Sequence, residues 1–180
     1  VIDAVATTNL YETNSPGVSN LVGYWKMDEG SGLSIVDSSG NDNTASIMSG
    51  ATWVNSSAPL QDAGQALSLN GYLSVNDAPE LNLNNGFSIE AWIKPSDSSN
   101  NTIIDRGDYN YLLQTHPNGT PGLGFYNNQI GWRYSTTPLA VNEWSHVAAT
   151  WDKSAGNLQV YKNGVLTDTF TGITELAMGG

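Results

Sequence analysis

The 180-residue sequence contains no cysteine, which excludes disulfide staples, thiolate zinc sites and a cysteine nucleophile. Its stability must rest on packing, hydrogen bonds or a bound metal. Basic residues are few: 6 Lys and Arg stand against 17 Asp and Glu, for a formal charge of -11. That imbalance repels phosphate backbones and anionic lipid, and argues against a nucleic-acid partner. No apolar run approaches the length of a membrane span, and residues 1–20 carry neither a basic nor a continuous apolar leader region. The reading is a soluble chain with no membrane insertion. Lys, Arg and Glu, the usual occupants of exposed helix faces, are too scarce to support much helix.

What is abundant is turn chemistry. The chain has 20 Asn, 19 Ser, 15 Thr and 19 Gly. Residues 1–20 are polar, hold the turn signal Asn14-Ser15-Pro16-Gly17 and read as a linker or leader strand. From residue 21 to 180 the pattern is one domain, with short apolar runs separated by Gly, Asn, Asp and Ser clusters. Strands are predicted over 21–27, 45–47, 51–53, 66–69, 72–75, 87–94, 102–106, 111–115, 122–126, 129–134, 145–152, 158–162 and 165–171. Asn70-Gly71 and Asn163-Gly164 have the composition of type I′ hairpin turns, whose two central residues need positive φ. Alternation puts Phe87, Ile89, Ala91 and Ile93 on one face of their strand, with Ser88, Glu90 and Trp92 on the other. Both faces carry large apolar side chains, so the strand is predicted to be central. The same test makes the strand over 145–152 central.

Six segments in order then resemble a known family. They are Leu21-Val-Gly-Tyr-Trp25-Lys-Met-Asp28-Glu29-Gly30-Ser-Gly32, Asp37-Ser-Ser-Gly40-Asn41, Leu67-Ser-Leu-Asn70-Gly71-Tyr72-Leu-Ser-Val75, Phe87-Ser-Ile-Glu90-Ala-Trp92-Ile-Lys-Pro95, Glu143-Trp144-Ser-His146-Val-Ala-Ala-Thr150-Trp-Asp152 and Val160-Tyr-Lys-Asn163-Gly164. Together they are similar to the laminin-G-like, concanavalin A-like lectin-glucanase modules of bacterial secreted and surface proteins. The resemblance implies an all-β, antiparallel jelly-roll sandwich of two curved sheets. It departs from the family at one point: nothing after Thr171 matches the closing Phe-x-Gly-x-Ile-Asp-Glu-Val strand pair. The expectation is a sheet lacking that pair and completed by following chain, by an inserted module or by a second polypeptide.

Two constellations carry candidate chemistry. The loops over 28–32 and 37–43 gather oxygen donors, with Asp28, Asp37, Asn41 and Asn43 as the candidate ligands of a structural Ca2+. The spacing is not that of an EF-hand, and the plain alternative is that Asp, Asn and Gly simply build turns. The resemblance raises the Ca2+ reading, although the late Asp that shares such sites is missing here. The second constellation runs from Asp105 to Tyr134. Sugar sites combine an aromatic surface with planar amides, carboxylates and Arg, and the candidates are Asp105, Arg106, Asp108, Tyr109, His116, Tyr126, Asn128 and Trp132. Trp25, Trp92, Trp144 and Trp151 lie on predicted strands and read as core or sheet-face residues. Arg106-Gly107-Asp108 is a lone tripeptide and a weak match to an integrin-attachment sequence.

Catalysis finds little support. No Glu-x-Asp occurs, so the carboxylate array of sandwich glucanases is missing. There is no Gly-x-Ser-x-Gly elbow and no nucleotide-binding glycine loop, and the two histidines, His116 and His146, lie far apart. The sequence therefore predicts a non-catalytic, extracellular adhesion module that binds a glycan or surface polysaccharide. The alternatives are a structural or protein-interaction module and an accessory targeting domain of a polysaccharide-active enzyme.

Overall fold

The structure, a computed structural model, describes residues 2–12, 21–59, 64–107, 110–116 and 122–176, with 2–12 and 122–123 as backbone only. Among these residues the chain forms thirteen strands: β1 Ile2–Glu12, β2 Leu21–Trp25, β3 Ser34–Ile35, β4 Ala45–Asn55, β5 Gln65–Val75, β6 Gly86–Pro95, β7 Thr102–Asp105, β8 Leu112–His116, β9 Gly122–Asn127, β10 Gly131–Tyr134, β11 Ser145–Asp152, β12 Asn157–Lys162 and β13 Val165–Phe170. One 3-10 turn, Pro79–Leu81, interrupts them. Nine strands form a sheet in the order β13-β12-β11-β6-β1-β5-β4-β3, with β2 also paired to β1. The other four form a narrower sheet, β10-β9-β8-β7. Every pairing is antiparallel. The architecture is the predicted jelly-roll sandwich.

The alternation read from the sequence explains how the two sheets meet. Phe87, Ile89, Ala91 and Ile93 of β6 are all buried, as are Val147, Ala149 and Trp151 on the neighbouring β11. Phe87 sits at the centre, its ring 5.8 Å from Tyr111, 5.7 Å from Phe125 and 5.9 Å from Trp151. Tyr111 and Phe125 belong to the narrow-sheet side, so this aromatic group joins the layers. The outer face of the wide sheet carries a smaller cluster in which Trp92 and Trp144 pack on Val54, Ala58 and Ala66. His146 lies there too, 5.5 Å from the Trp92 ring and 3.4 Å from Glu90. Trp25 and Trp151 are core residues, whereas Trp92 and Trp144 serve this outer cluster.

Several local expectations change. Asn163-Gly164 has φ of 50° and 76° and makes the predicted hairpin turn between β12 and β13. Asn70-Gly71 makes no hairpin. It lies inside the continuous strand β5, opposite Ser49 and Gly50 of β4, where the register shifts between Ile47 and Ser49 and again between Ser49 and Ala51. The two backbones approach so closely that a Cβ on Gly71 would stand 1.9 Å from the Ser49 carbonyl oxygen. The glycine there answers a need for contact between strands, a demand indistinguishable in composition from that of a tight turn. For the same reason the predicted strands 45–47 and 51–53, and 66–69 and 72–75, are single bulged strands. The short β3 was not predicted. The segment read as a linker or leader strand supplies β1, which pairs with β6 on one side and with β2 and β5 on the other.

Candidate functional site

The narrow sheet does not cover all of the wide one. Its edge strand β7 pairs with β8 and with no other strand among the described residues. Beside that edge, between β7 and residues 69–75 of β5, opens a cavity of about 840 Å3. Its floor is apolar and is made by Trp25, Met27, Leu69, Leu73, Val75, Leu81, Ile103 and Ile104. Its rim is polar: Asn70, Asn76, Asp77, Asn100, Asn101, Asp105 and Arg106. Tyr72, 59% exposed, stands at the lip. The register breaks of the β4–β5 pair, at Ile47–Ser49 and Ser49–Ala51, fall opposite this wall.

Arg106 is the best-anchored group of the rim. Its Nη2 donates to Asp77 Oδ1 at 2.5 Å and to Asn82 Oδ1 at 3.1 Å, while its Nε is buried with no acceptor among the described residues. Asp105 Oδ1 accepts the Gly107 peptide N–H. The site's two carboxylates are thus tied to a guanidinium and to a backbone amide. Tyr111 closes the bottom; its hydroxyl donates to the Leu81 carbonyl, and burial pushes its phenol well above the ordinary tyrosine value.

The floor is held from behind by the first of the oxygen-rich constellations. The Trp25 indole folds over Gly23, where a Cβ would meet its ring at 2.4 Å, and donates to the Asn43 carbonyl at 2.7 Å. Asn43 N–H donates to Asp37 Oδ2, and its side-chain amide donates to the carbonyl of Val22 and to Glu80. Asp37 also accepts from Tyr24 N, Ser39 N and Ser39 Oγ. Burial works to raise the Asp37 carboxyl, but the bonds from Ser39, Tyr24 and Asn43 outweigh it and hold the group below the usual carboxylate value. Asn41 spends its amide on Leu21 O, Val22 O and Ser39 Oγ. Asp28 is exposed. Among the described residues no three acidic or histidine groups converge on a point where a metal could sit. Asp37, Asn41 and Asn43 thus act as turn anchors, each committed to protein partners rather than turned together as a set of oxygen donors.

The structure divides the second constellation. Asp105 and Arg106 belong to the cleft; Asp108 and Tyr109 lie outside the described residues. His116, Tyr126 and Trp132 come together on the outer face of the narrow sheet, in a row of rings that Tyr134 completes. Trp132 stacks on Tyr134 at 5.3 Å and 7°, Tyr126 tilts against Trp132 at 5.0 Å, and His116 meets Tyr134 at 4.5 Å. Asn128 accepts the Tyr126 hydroxyl at 3.3 Å. Gly124 makes room for this row, since its missing Cβ would lie 3.1 Å from Tyr134 and 3.3 Å from Trp132. Trp132 and Tyr134 turn one face onto each other, and Tyr126 and His116 pack against the two ends of the pair. Sequence reasoning missed Asn70, Tyr72, Asn76, Asp77, Asn100 and Asn101. Only Tyr72, an aromatic following Asn-Gly, carried a local signal.

A family model described as the concanavalin A-like lectin/glucanases superfamily, of the laminin G type, matches residues 67–179. The chain belongs to this superfamily. Among solved structures, domain 4 of AbnA, an extracellular GH43 arabinanase from Geobacillus stearothermophilus, in complex with arabinotriose, is 20% identical with a TM-score of 0.61. That alignment covers 98% of this chain and 80% of that one. A native heptameric pentraxin from Limulus polyphemus is 22% identical with a TM-score of 0.42 over 49% of this chain, which spans 44% of the pentraxin's length. Comparison with curated proteins gives no significant match. For this superfamily member the arabinanase domain shares the fold over nearly the whole chain.

Proposed function

We propose that this chain is a non-catalytic carbohydrate-binding module that takes a glycan into the cleft between β5 and β7. The carrying observation is the composition of that cleft, an apolar floor under a rim of amides, carboxylates and one guanidinium, with Tyr72 free at the lip. Sugars offer the same two surfaces, C–H faces and paired hydroxyls, and the volume lies within the usual range of small-ligand sites. Superfamily membership and the shared fold of an arabinanase domain crystallised with arabinotriose support the reading. The commitment of Asp77 and Asp105 to structural partners supports binding without catalysis, because a glycosidase needs a free acid and a free base or nucleophile facing each other. Such a module works outside the cell, on secreted or surface polymers.

A second reading has its own observation. The unpaired edge of β7 could accept a peptide strand, which would make the chain a protein-docking module. A glycan array with the wild type, Tyr72→Ala and Trp132→Ala separates these. Binding is expected, with affinity reduced roughly five- to tenfold in Tyr72→Ala, the worth of one ring contact, and no change in melting temperature. Loss confined to Trp132→Ala moves the site to the ring row. An empty array together with a stable protein complex favours docking.

A further inference from the structure

The cleft's shape and charge say which glycans it suits. Residues 69–75 of β5 form one wall, and seven residues of strand extend about 20 Å. The opposite wall is residues 100–107, which contain β7, and two extended walls of this kind line a trough rather than a round pocket. A trough accommodates the middle of a chain; a pocket holds its end. The charges decide the second property. Asp77 and Asp105 outnumber Arg106 by one, and Arg106 is already neutralised by Asp77 at 2.5 Å. The remaining donors and acceptors are neutral amides, on a molecule of net charge -11.

We infer that the cleft binds an internal stretch of a neutral, linear glycan several sugar units long and discriminates against uronic-acid chains. This rests on the glycan reading given above. A carboxylated sugar would meet the exposed charge of Asp105 and would find Arg106 already occupied.

The test is calorimetric titration of the whole chain with β-1,4-linked gluco-, manno- and galacto-oligosaccharides of increasing length. Each series has a counterpart whose C6 alcohols are oxidised to carboxylates, and α-1,5-arabino-oligosaccharides are added. Titrations are run at low and high salt. At least one neutral series is expected to tighten with length up to about four units, the span of a trough of about 20 Å. Its affinity should be insensitive to salt. The oxidised counterpart should bind more weakly at low salt, the gap closing at high salt. Asp105→Asn, which keeps an acceptor for Gly107 but removes the charge, should narrow that gap roughly two- to fivefold, the size of an exposed charge interaction. Tighter binding of the oxidised chains, or affinity that stops rising at one unit, overturns the inference and leaves the glycan reading standing. No binding by any neutral or oxidised chain overturns both.

Discussion

At the scale of single residues, the acidic side chains of this molecule serve mainly as anchors. Asp37 accepts four hydrogen bonds and joins β2, the 37–43 loop and, through Asn43 and Trp25, the floor of the cleft. Asp168 does the same work between the sheets, accepting Ser135 Oγ at 2.7 Å and both the hydroxyl and the amide of Thr136. Burial acts to raise the Asp168 carboxyl, yet bonds from Ser135, Thr136 and Thr167 bring it below the ordinary value, as at Asp37. A carboxyl lowered by folding contributes stability above its unfolded pKa and loses it as pH falls through the native one. The fold is therefore expected to weaken below about pH 4, near the unfolded aspartate value. Asp37→Ala should be less stable at pH 7 by about 2–3 kcal/mol and show a shallower acid slope in chemical denaturation; an unchanged slope would contradict this role. Because Asp37 is saturated by protein donors, Ca2+ in place of EDTA should leave the melting temperature unmoved. A rise of several degrees would mean that a cation binds these loops after all.

At the scale of elements, regular alternation was legible and close approach was not. Strands β6, β11 and β12 were readable because each obeys a period of two with a large apolar face. The β4–β5 pair was misread at Asn70-Gly71, since the same dipeptide serves a positive-φ turn at 163–164 and a crowded crossing at 70–71. The crossing makes a sharp prediction. Gly71→Ala forces a methyl into the Ser49 carbonyl and should cost about 2–4 kcal/mol. Gly64→Ala, whose new methyl would meet no atom of the described residues within 4 Å, should stay within about 0.5 kcal/mol of wild type in the same denaturation experiment. Equal effects at both positions would mean that the two strands do not touch there.

At the scale of the whole molecule, the cleft exists because a four-stranded sheet lies over a nine-stranded one. That mismatch is a property of long-range pairing, which no local window records. Asp105 and Arg106 could be singled out from the sequence, since carboxylate and guanidinium neighbours stand out in a chain with 6 basic residues. Their partners across the trough, Asn70 and Tyr72 of β5 and Asn76 just after it, lie some thirty positions earlier and look like ordinary turn and sheet residues. The ring row was legible residue by residue, from Tyr126, Trp132 and His116, but its stacking depends on the space at Gly124 and on the β8–β9–β10 register. Family resemblance reached the fold and stopped short of the site, because one sandwich hosts many functions.

The most direct test of the account is amide chemical-shift mapping of the isotopically labelled chain during titration with a neutral linear oligosaccharide that binds it. The perturbed amides are expected to cluster at residues 69–77 and 100–107, on the two walls of the cleft. Perturbations centred instead on Tyr126, Trp132 and Tyr134, with the β5 and β7 walls unmoved, would contradict it.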